Sequence, residues 1–293
     1  MILIRRGKEP TGFDKKRDNR LRRAIRAFNK HGAPSPELTS CLKGYGDKST
    51  KEALYKAQHK KCAWCERATD LSSSPVEHIR PKSGAWRNLP GQTRIEARGH
   101  YWWLTWTWSN LVFSCVRCND PGHKANYFPL LPGTKSVATP PRQPPSSISF
   151  LQATTDTSGE HPLLIDPTSG VDPLDHIEWR PINEELAPRL WSWEPVEKTR
   201  EGAATIAILK LKELTDAVAD HVRTRLLPSI EEIDGHLKFG RWQAAKARWA
   251  RLLDVTLAPT SPLSGPAWQA LSRLMPGAKR AKFGLAEPPR PGH

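Results

Sequence analysis

Apolar residues fall into helix-spaced stripes near the two ends of the chain, separated by a polar, proline-punctuated middle. Leu21, Ile25 and Phe28 share one side of an expected helix over 14–30. Arg22, Arg23, Arg26 and Lys30 take the other side, and Gly32 and Pro34 end it. A second helix is expected over 50–60, where Ser49 and Glu52 have capping-box spacing. Later, Ala204, Ala207, Leu211, Leu214, Val218 and Val222 trace a helical stripe across 198–227 that Pro228 breaks. Ile230, Ile233 and Leu237, then Trp242, Ala245, Trp249 and Leu252, trace another, interrupted near Gly240. The middle has a different period. Val76 to Ile79 predicts a short strand stopped by Pro81, and YWWLTWTWSNLVF (101–113) is dense in strand-favouring aromatics. Trp102, Trp106 and Trp108 share parity there and read as core.

These patterns divide the chain into a basic helical N-terminal region (1–61), a segment rich in Trp, Cys, His and Asn (62–130), a Pro/Ser-rich loop or linker (131–162), a helical C-terminal region (163–275) and a basic tail (276–293) that reads as disordered. The fold class expected is α+β. No run of eighteen apolar residues exists, so no membrane span is expected, and MILIRRGKEP has no apolar core of a secretory signal.

Charge sharpens this picture. Of a formal net charge of +15, residues 1–61 carry 17 Lys+Arg against 6 Asp+Glu, which is +11. So concentrated a basic segment points to a polyanion, most simply nucleic acid, with a solvated basic face as the plain alternative. Five cysteines without a secretion signal point to a reducing cytoplasm and metal binding rather than disulfides.

Four of those cysteines form two knuckles, Cys62-x-x-Cys65 and Cys115-x-x-Cys118, separated by 49 residues. Zinc takes four tetrahedral thiolates at a structural site, and each CxxC turn supplies two. The site would clamp the inserted segment, with Cys41 left over. A single CxxC reads equally as a redox dithiol; the second pair favours zinc. Between the knuckles lies Glu77-His78. A neutral imidazole can take a proton from water near neutral pH, and a neighbouring carboxylate can hold a hard divalent ion. Asn110 and Asn119 are either imidazole-orienting or metal-ligating amides, or ordinary turn residues.

EHIRPKS, WSNLVFSCVRCN and HKANYFPL together resemble the signature of the HNH endonucleases. The resemblance implies a ββα-metal element around one divalent ion, Mg2+ or Mn2+, beside the zinc clamp. It implies His78 as the general base, Asn110 as the residue that orients it, and Glu77 and Asn119 as ligands of the ion. Many members have Asp where Glu77 stands, and a Lys three residues after the final Asn. Here Lys124 is displaced by two, so His123 or Asp120 shares the metal or phosphate role. Arg80, Lys82 and Lys124, with Arg22, Arg23 and Arg26, are expected to contact phosphates. Over roughly residues 1–227 the chain looks like the HNH nuclease subunit of Septu-type and retron-linked antiphage systems, which implies DNA cleavage alongside an SMC-like ATPase. An HNH effector that cuts RNA or tRNA, and a zinc-stabilised nucleic-acid-binding or assembly module without catalysis, are the rival expectations.

Overall fold

The computed structural model describes residues 1–137, 139, 140, 142 and 156–292. Part of the expected 131–162 loop lies outside the described residues.

The chain begins with three helices. α1 (Phe13–His31) buries Phe13, Leu21, Ala24, Ile25 and Phe28. Arg23 and Arg26 stay exposed on its outer side and Arg22 is half-buried. α2 (Pro36–Cys41) is capped by the Ser35 hydroxyl, which accepts the Leu38 N–H at 3.2 Å. α3 (Lys48–Ala57) starts earlier than its pattern suggested, because its cap is Asp47 and not Ser49. The Asp47 carboxylate takes the Thr50 N–H at 3.0 Å and the Thr50 hydroxyl at 2.7 Å. A charged acceptor suits the positive end of a helix better than a hydroxyl.

The middle holds two small antiparallel sheets. β1 (Val76–His78) pairs with β4 (Leu111–Phe113), matching Val76 to Phe113 and His78 to Leu111; β2 (Gly84–Trp86) pairs with β3 (Glu96–Arg98). A one-turn helix, α4 (Val116–Asn119), follows β4. The aromatic run therefore does not form the strand its composition favours before residue 111. Residues 102–104 and 108–110 wind into 3-10 turns. Bulky rings at both parities leave no polar face for a strand to show to water, and the turns let Trp102, Trp103 and Trp106 all bury, each 2% exposed or less.

The C-terminal part opens with a hairpin of β5 (Ile177–Pro181) and β6 (Trp193–Glu197) and continues as helices. α5 (Arg200–Leu209) is capped by Thr199. α6 (Thr215–His221), α7 (Leu227–Lys238), α8 (Trp242–Thr256), α9 (Ser264–Leu274) and α10 (Gly277–Phe283) follow. Three sequence readings are corrected here. The 198–227 stripe is cut at Lys210, which is left-handed at φ 45°, and at a 3-10 turn over Leu211–Leu214. Pro228 does not end the helix. It has no N–H for the Thr224 carbonyl, and the ladder widens into a π turn over Val222–Leu226, with the Leu227 N–H reaching the Val222 carbonyl. The tail is ordered: Leu285 is buried, and the indoles of Trp249 and Trp268 donate to the Ala286 and Pro288 carbonyls at 2.9 and 3.0 Å.

One apolar core joins these parts, running from Leu21 and Ile25 of α1 through Trp64, Trp102 and Phe128 to Ile208, Trp249 and Leu271. The 131–162 segment leaves and returns at one place, where the Leu131 N–H donates to the His161 carbonyl at 2.8 Å and the Leu163 N–H to the Pro129 carbonyl at 2.9 Å. No helix of the described residues is long and apolar enough to cross a membrane.

Candidate functional site

Two backbone elements bring the knuckles together. α3 leads straight into Cys62, and β4 leads into Cys115, which caps α4 through its Sγ. Gln58, at the end of α3, grips β4: its Oε1 accepts the Phe113 N–H at 2.7 Å, and its Nε2 donates to the Phe113 carbonyl at 2.8 Å. The Ala63 N–H also donates to the Phe113 carbonyl, at 3.1 Å. The sulfurs of Cys62, Cys65, Cys115 and Cys118 consequently lie within 4.8 Å of one another, with Cys65 and Cys115 3.8 Å apart. Thiolates arranged tetrahedrally at the usual Zn–S distance sit about 3.8 Å from each other, so the four fit a zinc ion. Hydrogen bonds from Cys118 first, then from Cys62 and Cys65, push the Cys115 thiol far below its ordinary range. Cys62 is lowered as well, whereas hydrogen bonding within the cluster, to Cys115 first, holds Cys65 and Cys118 well above their ordinary range, so before an ion binds thiolate, the ligand form, is favoured at Cys115 and Cys62 alone. It is the sole group of three or more His, Cys, Asp and Glu side chains close enough to hold a metal among the described residues.

His78 ends β1, 4% exposed, under the ring of Tyr45 at 4.3 Å between centroids. Its Nε2 lies 3.0 Å from the Thr105 carbonyl. A carbonyl only accepts, so Nε2 carries the proton and Nδ1 keeps its lone pair. Burial pushes the His78 imidazole down to about 3, aided by the nearby Lys82 and Lys124 charges and opposed by the Thr105 carbonyl. The ring is neutral at ordinary pH.

Asn110 is not the group that holds this ring. Its amide is spent on backbone: Oδ1 accepts the Arg80 N–H at 2.8 Å, and Nδ2 donates to the Arg80 and Leu104 carbonyls at 3.0 and 3.2 Å. It thereby continues the β1–β4 ladder by one residue and fixes the turn that presents Thr105.

Glu77 is partly open, and its carboxylate receives the Lys124 ammonium at 2.9 Å. The Lys124 side chain is fully buried and also donates to the His78 carbonyl and, at 3.4 Å, to the Ala125 carbonyl. Asn119 ends α4 beside the second knuckle. His123 turns away toward the C-terminal helices, its Nε2 3.1 Å from Glu213, and Asp120 closes its own turn on the Gly122 N–H at 2.8 Å. Arg117 donates to the same Glu213 carboxylate at 2.9 Å. This patch ties the knuckle to the segment after α5.

The expected phosphate contacts divide. Arg80 is held by the buried Glu160 at 2.9 Å, which also accepts the Tyr101 hydroxyl at 2.7 Å. Lys82 donates to the Tyr45 hydroxyl at 2.8 Å. Arg80 and Lys82 are thus half-buried and engaged and Lys124 is buried, leaving Arg23 and Arg26 on α1 as the exposed cations of the expected set. Sequence reasoning missed Thr105, Tyr45, Gln58 and Glu160. Thr105 acts through a main-chain carbonyl and leaves no trace in residue type; Gln58 alone was findable, as a polar residue on the buried end of α3.

With this geometry in place, comparison with known proteins gives one informative result. The chain is similar to a Septu protein. Over 195 residues it is 29% identical to "Septu protein PtuB" of Bacillus mycoides (strain KBAB4), a match covering 66% of this chain and 58% of that protein. The chain thus spans less than two thirds of this relative's length. No family model matches the sequence, and no solved structure matches it.

Proposed function

We propose that the protein is a metal-dependent HNH-type endonuclease that hydrolyses phosphodiester bonds of DNA as the effector of an antiphage defence system. The observation that carries this reading is His78: a neutral imidazole whose Nε2 is fixed by a main-chain carbonyl, whose Nδ1 keeps its lone pair, and whose neighbour Glu77 offers a carboxylate. The order of two antiparallel strands and a following helix, closed by a four-thiolate cluster, supports the HNH assignment. The likeness to Septu PtuB supports the defence setting and a second protein as partner, an SMC-like ATPase by resemblance.

In this reading His78 Nδ1 takes the proton of the attacking water. A base so weakly basic in the resting protein accepts it because the negative phosphodiester stabilises the imidazolium as it forms. Asn110 sets the position of the turn that holds the ring. Glu77, with Asn119, is assigned to one Mg2+ or Mn2+; hard ions of this kind are held by one or two protein carboxylates, with water and substrate phosphate completing the shell. The ion would stabilise the leaving oxygen. The four cysteines hold structural zinc. Arg23 and Arg26 position the backbone.

One observation favours a second reading, a zinc-stabilised nucleic-acid-binding module without catalysis: the buried Lys124 already neutralises Glu77. Cleavage assays separate the two. The wild type, with the partner ATPase where one is encoded beside it, is expected to cut plasmid DNA with Mg2+ or Mn2+, and His78→Ala to lose at least a hundredfold. Cleavage of RNA alone would move the assignment to an RNA-cutting effector. Equal cleavage by both proteins would remove His78 as the base, and binding without cleavage by either would favour the module.

A further inference from the structure

The basic groove of the C-terminal helices lies on elements that the proposed site does not use. It runs between the π turn with the start of α7 on one side and the end of α8 on the other, with a volume of about 600 Å³. Three arginines line it: Arg225 from the π turn, and Arg248 and Arg251 from α8. Arg248 is anchored by Glu232 and by the Ser229 hydroxyl at 2.7 Å. Arg225 and Arg251 are exposed and make no ion pair among the described residues, whereas other cations around α7 are paired, Arg189 with Glu231 and Lys279 with Asp234. No carboxylate lines the groove among the described residues. His221 lines it as well, and its Nε2 is buried without a hydrogen-bond partner. Burial holds that imidazole below its ordinary range, with the Arg225 charge adding to the effect.

Arg248 already has Glu232 as its counter-ion, whereas the Arg225 and Arg251 guanidinium groups have none among the described residues, which leaves excess positive charge on this concavity. Planar, multidentate donors suit phosphate oxygens. The π turn is what places Arg225 here. It exists because Pro228 removes a ladder donor, and it rotates the residues before it relative to α7. Leu252 and Val255, on α8 beside Arg248 and Arg251, and Pro262 give the groove an apolar rim. That combination of a cationic wall and an apolar rim matches a phosphate attached to a flat, less polar body.

We propose that this groove is a phosphate-binding site, separate from His78, for the phosphates of a nucleotide or of a nucleic-acid strand. The proposal does not rest on nuclease activity. It is tested by calorimetric titration of the full chain in buffer free of divalent ions, with ATP, tripolyphosphate and a single-stranded 12-nucleotide oligomer as the probes. Saturable binding of at least one probe is expected. It should weaken at least tenfold in the double variant Arg225→Gln/Arg251→Gln and stay unchanged in His78→Ala and in Arg223→Gln, an exposed arginine of the same turn outside the groove. ATP bound more tightly than tripolyphosphate identifies a nucleotide whose base uses the rim; binding of the oligomer alone identifies a nucleic-acid backbone. The proposal is overturned if the double variant binds as the wild type does, if Arg223→Gln weakens binding equally, or if no probe binds at millimolar concentration. Unchanged melting of the double variant keeps a loss of binding from being a loss of fold.

Discussion

The side chain with most at stake is His78, because its protonation bears both on the proposed base chemistry and on stability. In the fold its affinity for protons is depressed to about 3, whereas an unfolded chain carries an imidazole near about 6.5. Between these values the unfolded state binds the extra proton, so stability falls as pH drops through that window, by roughly 4–5 kcal/mol if the whole shift is realised. A chemical-denaturation series from pH 7 to pH 4 should show roughly 3 kcal/mol of this loss, reduced in His78→Asn. NMR of the ring should show no titration near pH 6.5 in the free protein, and a midpoint there would contradict the burial described. Lys124 gives a second expectation. Lys124→Met leaves Glu77 without its ammonium and removes the bond to the His78 carbonyl, so a destabilisation of roughly 2–4 kcal/mol is expected in urea melts. A loss under 1 kcal/mol would mean that the pair contributes little to holding β1.

At the scale of elements, the thiolate cluster joins the end of α3 to the end of β4. A structural zinc contributes about 10–16 kcal/mol of apparent binding free energy, comparable to the entire stability of a domain. Chelation, or Cys118→Ser, is therefore expected to melt the β1–β4 pair and abolish any His78-dependent activity together. Elemental analysis should give one zinc per chain in the wild type, and full ellipticity after metal removal would sink the clamp. The knuckles were legible in the sequence because a CxxC turn is a local requirement of metal geometry. So was the β1 strand bearing Glu77 and His78, stopped by Pro81. What stayed hidden was chosen at long range. The Lys124–Glu77 pair spans 47 positions, and the hydrogen bond from the His78 ring ends on a carbonyl that any residue at 105 would supply. The tryptophan run misled on local form for a related reason: strand propensity describes a half-buried surface, and these rings are wholly buried.

Across the whole molecule, positive charge is concentrated in the first 61 residues, yet much of what neighbours the candidate site is already neutralised. The outer face of α1 remains an available cationic surface near the N-terminus. Replacing Arg23 and Arg26 with Gln should weaken nucleic-acid binding at low salt and reduce the slope of log affinity against log salt by roughly 2, with melting unchanged. An unaltered slope would mean that the strand runs elsewhere. The C-terminal helices share the apolar core with the middle of the chain and tie the second knuckle through Glu213, Arg117 and His123, so truncation before α5 would remove Ile208 and Leu209 from that core and strip the knuckle of its ionic support.

The hydrogen-bonded mouth at Leu131 and His161 has a practical use. Its two edges are fixed by main-chain bonds, and Glu160, just inside, accepts from Arg80, Tyr101 and the Val137 N–H. Positions 138–155 therefore bridge two points that the rest of the chain already holds together. Doubling the length of such a bridge adds only about 0.6 kcal/mol of closure entropy. An affinity tag, a fluorophore-bearing peptide or a protease site inserted between these two anchored edges should therefore leave the melting of the protein nearly unchanged.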